Sequence, residues 1–308
     1  MNQTTTQRSI TCSGIGLHSG NRVYLALRPA PANTGIVFEI HTGDAKNSIR
    51  RVSPTPDAVM TTALATTLGA NGASVSTVEH LLASVLGLGI DNLIVSVEGG
   101  EIPILDGSAA TFVTLFHEAG IRQLPVSRKV MRVSRPVALR SGDKFIRATP
   151  YAGLRVDYTI EFPHPSIGRQ HMVMEVTPST FARVAHARTF GFLKDVEYLH
   201  SHGLARGGSL DNVVVLDDTG IVNPEGLRFT DEFVRHKVLD FIGDMAMLGL
   251  PLQGNFEIRC SGHQLNNEFL RKLEAERALQ KIDLAHEEAR ARKSLVTLPD
   301  YDDGLALA

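Results

Sequence analysis

The segment Phe233-Val-Arg-His236-Lys237-Val-Leu-Asp240-Phe-Ile-Gly-Asp244 carries a polar stripe where an ordinary core helix is apolar. At roughly 100° per residue, taking Arg235 as origin, His236, Lys237, Asp240 and Asp244 fall on an arc between roughly 100° and 200°. Val238, Leu239, Phe241 and Ile242 fill most of the remaining circumference. A helix apolar on most sides is buried, and a buried carboxylate is costly unless it is paired or binds a cation. His236 and Asp240 lie one turn apart on the same side, close enough to share one ion. The same spacing also suits an exposed i,i+4 pair. A catalytic metal such as zinc takes three protein ligands and keeps one position open, so part of such a site has to come from elsewhere in the chain.

Ser76-Thr-Val-Glu79-His80-Leu-Leu-Ala-Ser-Val-Leu reads as the start of a helix. Ser76 and Glu79 have capping-box spacing, Ser76 at the N-cap and Glu79 reaching back to its N–H, which accounts for the glutamate structurally. It does not account for His80, which the positive end of the helix dipole keeps neutral, the state a metal ligand requires. A glutamate beside a ligating histidine can also serve as a general base, provided burial raises the pKa that the dipole lowers. Phe256-Glu-Ile-Arg-Cys-Ser261-Gly262-His263 reads as a strand ending in a glycine turn with a histidine after it. That histidine is either a cap or surface residue or, beside Asp244, an oriented imidazolium able to stabilise an oxyanion or protonate a leaving amine. In Ala187-Arg-Thr189-Phe190-Gly-Phe192, Thr189 and Phe190 are either packing residues or an oxyanion donor next to a sugar platform.

With these clusters in view, the chain resembles the UDP-3-O-acyl-N-acetylglucosamine deacetylases, zinc amidases of lipid A biosynthesis in Gram-negative bacteria. The motifs that carry the resemblance include Gly14-Ile-Gly-Leu-His18-Ser-Gly, Ser76-Thr-Val-Glu79-His80-Leu and Glu101-Ile-Pro-Ile-Leu-Asp106-Gly-Ser. They continue through Ala187-Arg-Thr-Phe-Gly-Phe192, Asp231-Glu-Phe-Val-Arg-His236-Lys and Ser261-Gly-His263. The resemblance implies an α+β fold of two similar α/β-sandwich domains, each a mainly antiparallel sheet backed by helices, with small insertions and the active site between them. It makes His80, His236 and Asp240 the ligands of one Zn2+, Glu79 the base toward the attacking water, and His263 its partner, oriented by Asp244. Thr189 then faces the oxyanion. Lys237 and Phe190 meet the polar head and sugar ring, and Lys144 lies near the nucleotide end. An insertion between Ala187 and Leu216 forms an apolar passage for the acyl chain, with Phe192, Val196, Leu199, Ala205, Leu210 and Val215 as candidates; plain core packing explains the same residues. Cys260 stands where some relatives carry a basic residue, leaving Arg259 to compensate toward the diphosphate.

The rest of the sequence is in keeping with this. At 308 residues, 43% hydrophobic and 21% charged, the chain has the composition of a globular protein of about two domains. A net charge of −2 argues against nucleic acid as a partner. Two cysteines, Cys12 and Cys260, exclude a disulfide framework and point to a reducing, cytoplasmic setting. No apolar run nears the roughly 20 residues of a membrane span, nor does a leader-like segment precede Arg8, so membrane contact is expected to be at most peripheral. The expected organisation is a first domain over 1–124 with a rim insertion at Met60–Leu68, a linker near Leu124–Ser127, a second domain over 128–294 and a disordered tail over 295–308. A helix is expected from Thr77 to about Gly87, another around Thr230–Gly249, and a long charged one from Asn266 to about Lys293. The tail ends in Leu305-Ala-Leu-Ala308, read either as an inert terminus or as a handle for a regulatory protease.

Overall fold

The computed structural model describes residues 1–42, 49–70 and 72–296; the tail reading lies outside them. Two mixed sheets form the outer layers. The first has five strands in the order Ile10–Ile15, Arg22–Pro29, Leu93–Glu98, Ile36–His41 and Ile49–Val52, antiparallel except where Ile36–His41 runs parallel to Leu93–Glu98. The alternation in Arg22–Pro29 shows why this sheet is one-faced: Val23, Leu25 and Leu27 are buried while Arg22 and Tyr24 are exposed. The second sheet has seven strands centred on Leu252–Arg259, which pairs antiparallel with Lys144–Thr149 and parallel with Leu154–Phe162.

Among the described residues seven α-helices accompany the sheets: α1 (Glu79–Gly87), α2 (Ala110–Ala119), α3 (Ala182–Ala185), α4 (Val196–Ser201), α5 (Glu232–Met245), α6 (His263–Ala275) and α7 (Leu284–Val296). The α2 helix packs on strand Ile10–Ile15 and on α1, α1 packs on α5, and α5 and α6 pack on strands of the second sheet. The order of layers is therefore sheet, helices, helices, sheet, as expected of an α+β protein with two sheet-and-helix units. All of α1 except Leu86 is buried, as is all of α5 except Arg235 and Lys237. Both helices are thus interior on every side, which explains why their polar residues must satisfy one another.

Four local expectations are corrected. The capping box does not form: the helix begins at Glu79, and Thr77 just before it has φ of 59°. Ser76 Oγ accepts from the Thr67 hydroxyl instead, and the Glu79 carboxylate accepts from the Thr66 N–H. The stretch expected as a linker belongs to strand Ile121–Ser127, which pairs antiparallel with Asn2–Thr6. The long charged helix is two: α6 stops at Ala275, Arg277 adopts φ of 52°, and Leu279–Asp283 pairs antiparallel with Lys129–Val133 before α7. Charge pattern alone missed this strand because the completely buried Ala278 and Leu270 side chains belong to a core that the pattern does not reveal. The helix around Thr230–Gly249 ends earlier than expected, at Met245, with a 3₁₀ turn Ala246–Leu248 after it.

The tightest approach of the two central helices is at Gly243, where an added Cβ would lie 2.1 Å from the carbonyl oxygen of Glu79. Backbone meets backbone there, so neither side can yield by a rotamer change. Gly243→Ala is expected to cost about 1–3 kcal/mol, the scale of overpacking a core. Urea denaturation in excess chelator, which removes any linkage to bound metal, checks this; a midpoint equal to wild type would contradict it.

Candidate metal and acid–base centre

His80 comes from the first turn of α1, and His236 and Asp240 from successive turns of α5. Each offers one ligand atom, and the three atoms lie within 4.8 Å of one another. His80 Nε2 is 3.6 Å and His236 Nε2 3.3 Å from Asp240 Oδ1, and the two rings stand nearly perpendicular at 86°. The other imidazole nitrogen of His236, Nδ1, is 3.1 Å from the Ala187 carbonyl. A carbonyl can only accept, so Nδ1 carries the proton and the Nε2 lone pair faces the cluster, the orienting arrangement of metal-ligating histidines. Burial is the main cause that lowers the His236 pKa to about 4, keeping the ring neutral. Burial pushes the Asp240 carboxyl up, but His236, Lys237 and His80 outweigh it and hold it well below the usual range. Two imidazoles and a carboxylate suit a divalent ion. Lys237 Nζ, 2.7 Å from Asp240 Oδ2, occupies the outer oxygen.

Beside this triad stands an acid–base pair. Glu79 precedes His80 and is 3% exposed; burial raises its pKa, with His263 and His80 opposing. His263 begins α6, its Nε2 3.9 Å from Glu79 Oε1 and its Nδ1 2.8 Å from Asp244 Oδ2. Burial alone would lower the pKa of His263, yet Asp244, Glu79 and Asp240 raise it to about 9. The two groups are pushed in the directions that an acid and a base need at neutral pH. Asp244 also accepts from Asn266 Nδ2 at 2.7 Å and from the Thr66 hydroxyl at 2.7 Å.

Both clusters open into a cavity of about 1120 Å³. Thr189, Phe190, Lys237 and Lys144 line it, so every expected site residue except Asp244, which stands behind His263, reaches the same space. Thr189 is held by its backbone: its N–H donates to the Gly107 carbonyl at 2.8 Å and its carbonyl accepts from Val214 N–H. Phe190 packs edge-on against Phe233 at 5.0 Å and against His236. The insertion is a strand, helix, strand unit in which Phe190–Phe192 pairs parallel with Val214–Leu216 around α4. Phe192, Val196, Leu199, Ala205, Leu210 and Val215 all line the cavity and none is fully buried, while Phe192 also packs against the core. Arg259 does not line it. It pairs with Glu161 at 2.9 Å, while Cys260, at φ of 50°, takes the lining position.

Several supporting residues were not singled out from the sequence. Arg188, 2% exposed, donates to Glu232 from its backbone N–H and its guanidinium, fixing the loop before Thr189 to the start of α5. Glu101 accepts from the N–H groups of His18 and Ser19 and from the Thr77 hydroxyl, tying a cavity-lining loop to the turn that launches α1. His18 lines the cavity with Nε2 buried and unpartnered, and burial lowers its pKa. Only the spacing of His18 within Gly14–Gly20 could have pointed to it; Arg188 and Glu101 carry no periodic signal.

A histidine whose folded pKa is about 9 against 6.5 unfolded adds stability that is complete below about 6.5 and is lost as pH rises through about 9. The gap in unfolding free energy between wild type and His263→Gln should therefore be widest in mild acid and narrow above neutrality. Chemical denaturation across that range measures it, and a gap independent of pH would mean that His263 is not held as the imidazolium.

The profile of the family described as UDP-3-O-acyl N-acetylglycosamine deacetylase (LpxC) matches residues 3–275. The chain is 61% identical to the UDP-3-O-acyl-N-acetylglucosamine deacetylase of Nitratidesulfovibrio vulgaris over 91% of this chain and 90% of that one. It is 56% identical to the Lawsonia intracellularis deacetylase over the full length of both, and 59% identical to that of Oleidesulfovibrio alaskensis over 92% and 93%. The chain belongs to the UDP-3-O-acyl N-acetylglycosamine deacetylase family.

Proposed function

We propose that the chain is a zinc-dependent amidase that hydrolyses the acetamide of UDP-3-O-[(3R)-3-hydroxyacyl]-N-acetylglucosamine to the free amine and acetate, the committed step of lipid A biosynthesis, in the cytoplasm. The observation that carries this reading is the juxtaposition of His80, His236 and Asp240 with the Glu79–His263 pair at one wall of a largely apolar cavity. His80, His236 and Asp240 would hold the ion, which when bound lowers the pKa of water toward about 7 and polarises a carbonyl. Glu79, its carboxylate fixed by Thr66 N–H, takes the proton of the attacking water. The C–O bond forms as the carbonyl π pair moves to oxygen. Thr189 and the imidazolium of His263 face the resulting oxyanion. The C–N bond then breaks and nitrogen leaves as the amine, protonated from His263 Nε2, whose Nδ1 stays on Asp244. Phe190, Lys237 and Lys144 bind the sugar and its polar head, and Phe192, Val196, Leu210 and Val215 line the acyl chain's path.

Membrane contact at most peripheral is part of the same reading, and no helix among the described residues is long and apolar enough to cross a membrane.

Three experiments test it. Acetate release should occur with the 3-O-acyl substrate, fall sharply without the acyl chain, stop with a strong chelator and return with zinc. His80→Ala and Asp240→Ala should lose metal as well as rate, whereas Glu79→Ala and His263→Ala should retain metal and lose roughly 10²-fold or more in rate. The rate should fall in acid as Glu79 is protonated and in base as pH passes about 9 and His263 loses its proton. Acetate release that ignores the acyl chain would instead assign a different substrate to the same hydrolytic centre.

A further inference from the structure

Thr66 stands on the rim segment between strands Val59–Thr61 and Thr67–Ala70, yet it is only 2% exposed and all three of its polar groups are engaged. Its N–H donates to Glu79 Oε2 at 3.1 Å. Its hydroxyl donates to Asp244 Oδ1 at 2.7 Å. Its carbonyl accepts from Val78 N–H at 3.3 Å, one residue before α1. Glu79 and Asp244 come from different helices, and one residue holds them both.

We propose that Thr66 is a positioning residue that sets the base Glu79 and the acid pair Asp244–His263 relative to each other, through its N–H on one carboxylate and its hydroxyl on the other. This inference rests on the amidase reading above. Asp244 Oδ2 already receives His263 Nδ1 and Asn266 Nδ2, and Asn266 is itself fixed by the Ser261 hydroxyl at 2.6 Å. Among the described residues, Oδ1 receives only Thr66. Asp244 is 3% exposed, so water does not readily replace a lost donor, and without that donor the carboxylate is free to turn about Cβ–Cγ. His263 hangs from the same carboxylate, and its Nε2 would move away from the reacting carbon. The residue type follows from this requirement: valine has the same shape without the hydroxyl, and in a buried polar network that difference is not conservative.

The test compares Thr66→Val with Thr66→Ser in the intact, metal-loaded protein. Thr66→Val should lower kcat by about tenfold or more, the scale of one hydrogen bond to a buried charge, with KM and bound metal within about twofold of wild type. Thr66→Ser should restore most of the rate. In an Asp244→Ala background, Thr66→Val should add almost nothing, because the group it acts through is gone. A wild-type kcat in Thr66→Val, a full additional loss in the Asp244→Ala background, or failure of serine to rescue would each overturn the proposal. The Nδ1 proton of His263, followed by NMR in 15N-histidine-labelled protein, reads the same geometry without turnover. It should be sheltered from exchange in wild type and Thr66→Ser and broadened in Thr66→Val; equal sheltering in all three would also overturn it. If wild type releases no acetate, the amidase reading fails, and the NMR result still decides the role of Thr66.

Discussion

The backbone contact between α1 and α5 is the constraint on which the centre depends. His80 and Glu79 lie on one helix, His236, Asp240 and Asp244 on the other, and their side chains meet only because Gly243 lets the two backbones touch at the Glu79 carbonyl. An α-helix is about 5 Å thick at its backbone, so a side chain of ordinary size at 243 would separate the helices by more than the cluster tolerates. The two outer sheets serve this contact: each presses a one-faced apolar surface on its own helix layer, and the central pair is largely buried between them. The polar arc on α5 is then forced to find its partners across the helix interface, having no route to solvent except through the cavity.

Such an interior is electrostatically expensive, and the charges are arranged so that each offsets another. Glu79, Asp240 and Asp244 bring three carboxylates into buried positions. Lys237 and the raised pKa of His263 supply two positive charges, which leaves the cluster anionic and suited to a divalent cation. Glu79 is the group left under strain. Its pKa is raised by burial, which means the fold favours its protonated form, so its contribution to stability is present in acid and is lost as pH rises and the charged form is held at a cost. Among the described residues Glu79 Oε2 accepts from the Thr66 N–H, while Oε1 faces His263 Nε2 at 3.9 Å.

What the sequence disclosed follows from periodicity. The i, i+4, i+8 array His236, Asp240, Asp244 on an otherwise apolar helix was legible because a helix projects those positions onto one face whatever the rest of the fold does. Glu79 was legible as a residue with two explanations, and the structure decides between them: the backbone turns at Thr77 with positive φ, so the helix starts three residues after Ser76 and no serine cap is in place to meet the glutamate. The break at Arg277 and the pairing of Ile121–Ser127 with the N-terminal strand were illegible for a shared reason. Both depend on partners more than 100 residues away in sequence, and short segments of mixed character take whichever conformation those partners offer. Thr66 was hidden for the same cause, since a threonine among alanines and threonines has no pattern until Asp244 arrives from the far side of the chain.

The loop from Ala187 to Phe192 shows how the His80, His236 and Asp240 cluster and the cavity wall are made interdependent. The buried Arg188 guanidinium, bonded to Glu232 and to the Gly226 carbonyl, anchors the loop to the first residue of α5. Isolated, such an ion pair contributes little net stability, because desolvation consumes most of the attraction; its value lies in direction. On one side of Arg188 the Ala187 carbonyl fixes the tautomer of His236. On the other, Thr189 and Phe190 enter the cavity, and Phe190 leans on His236 and Phe233. Phe192, two residues further along the same extended strand, returns to the same cavity because side chains at i and i+2 share a face. A shift of the anchor would thus misplace His236 and two cavity-lining residues at once. The polar cluster and the apolar cavity wall are coupled through six consecutive residues, so anything that moves that segment moves both.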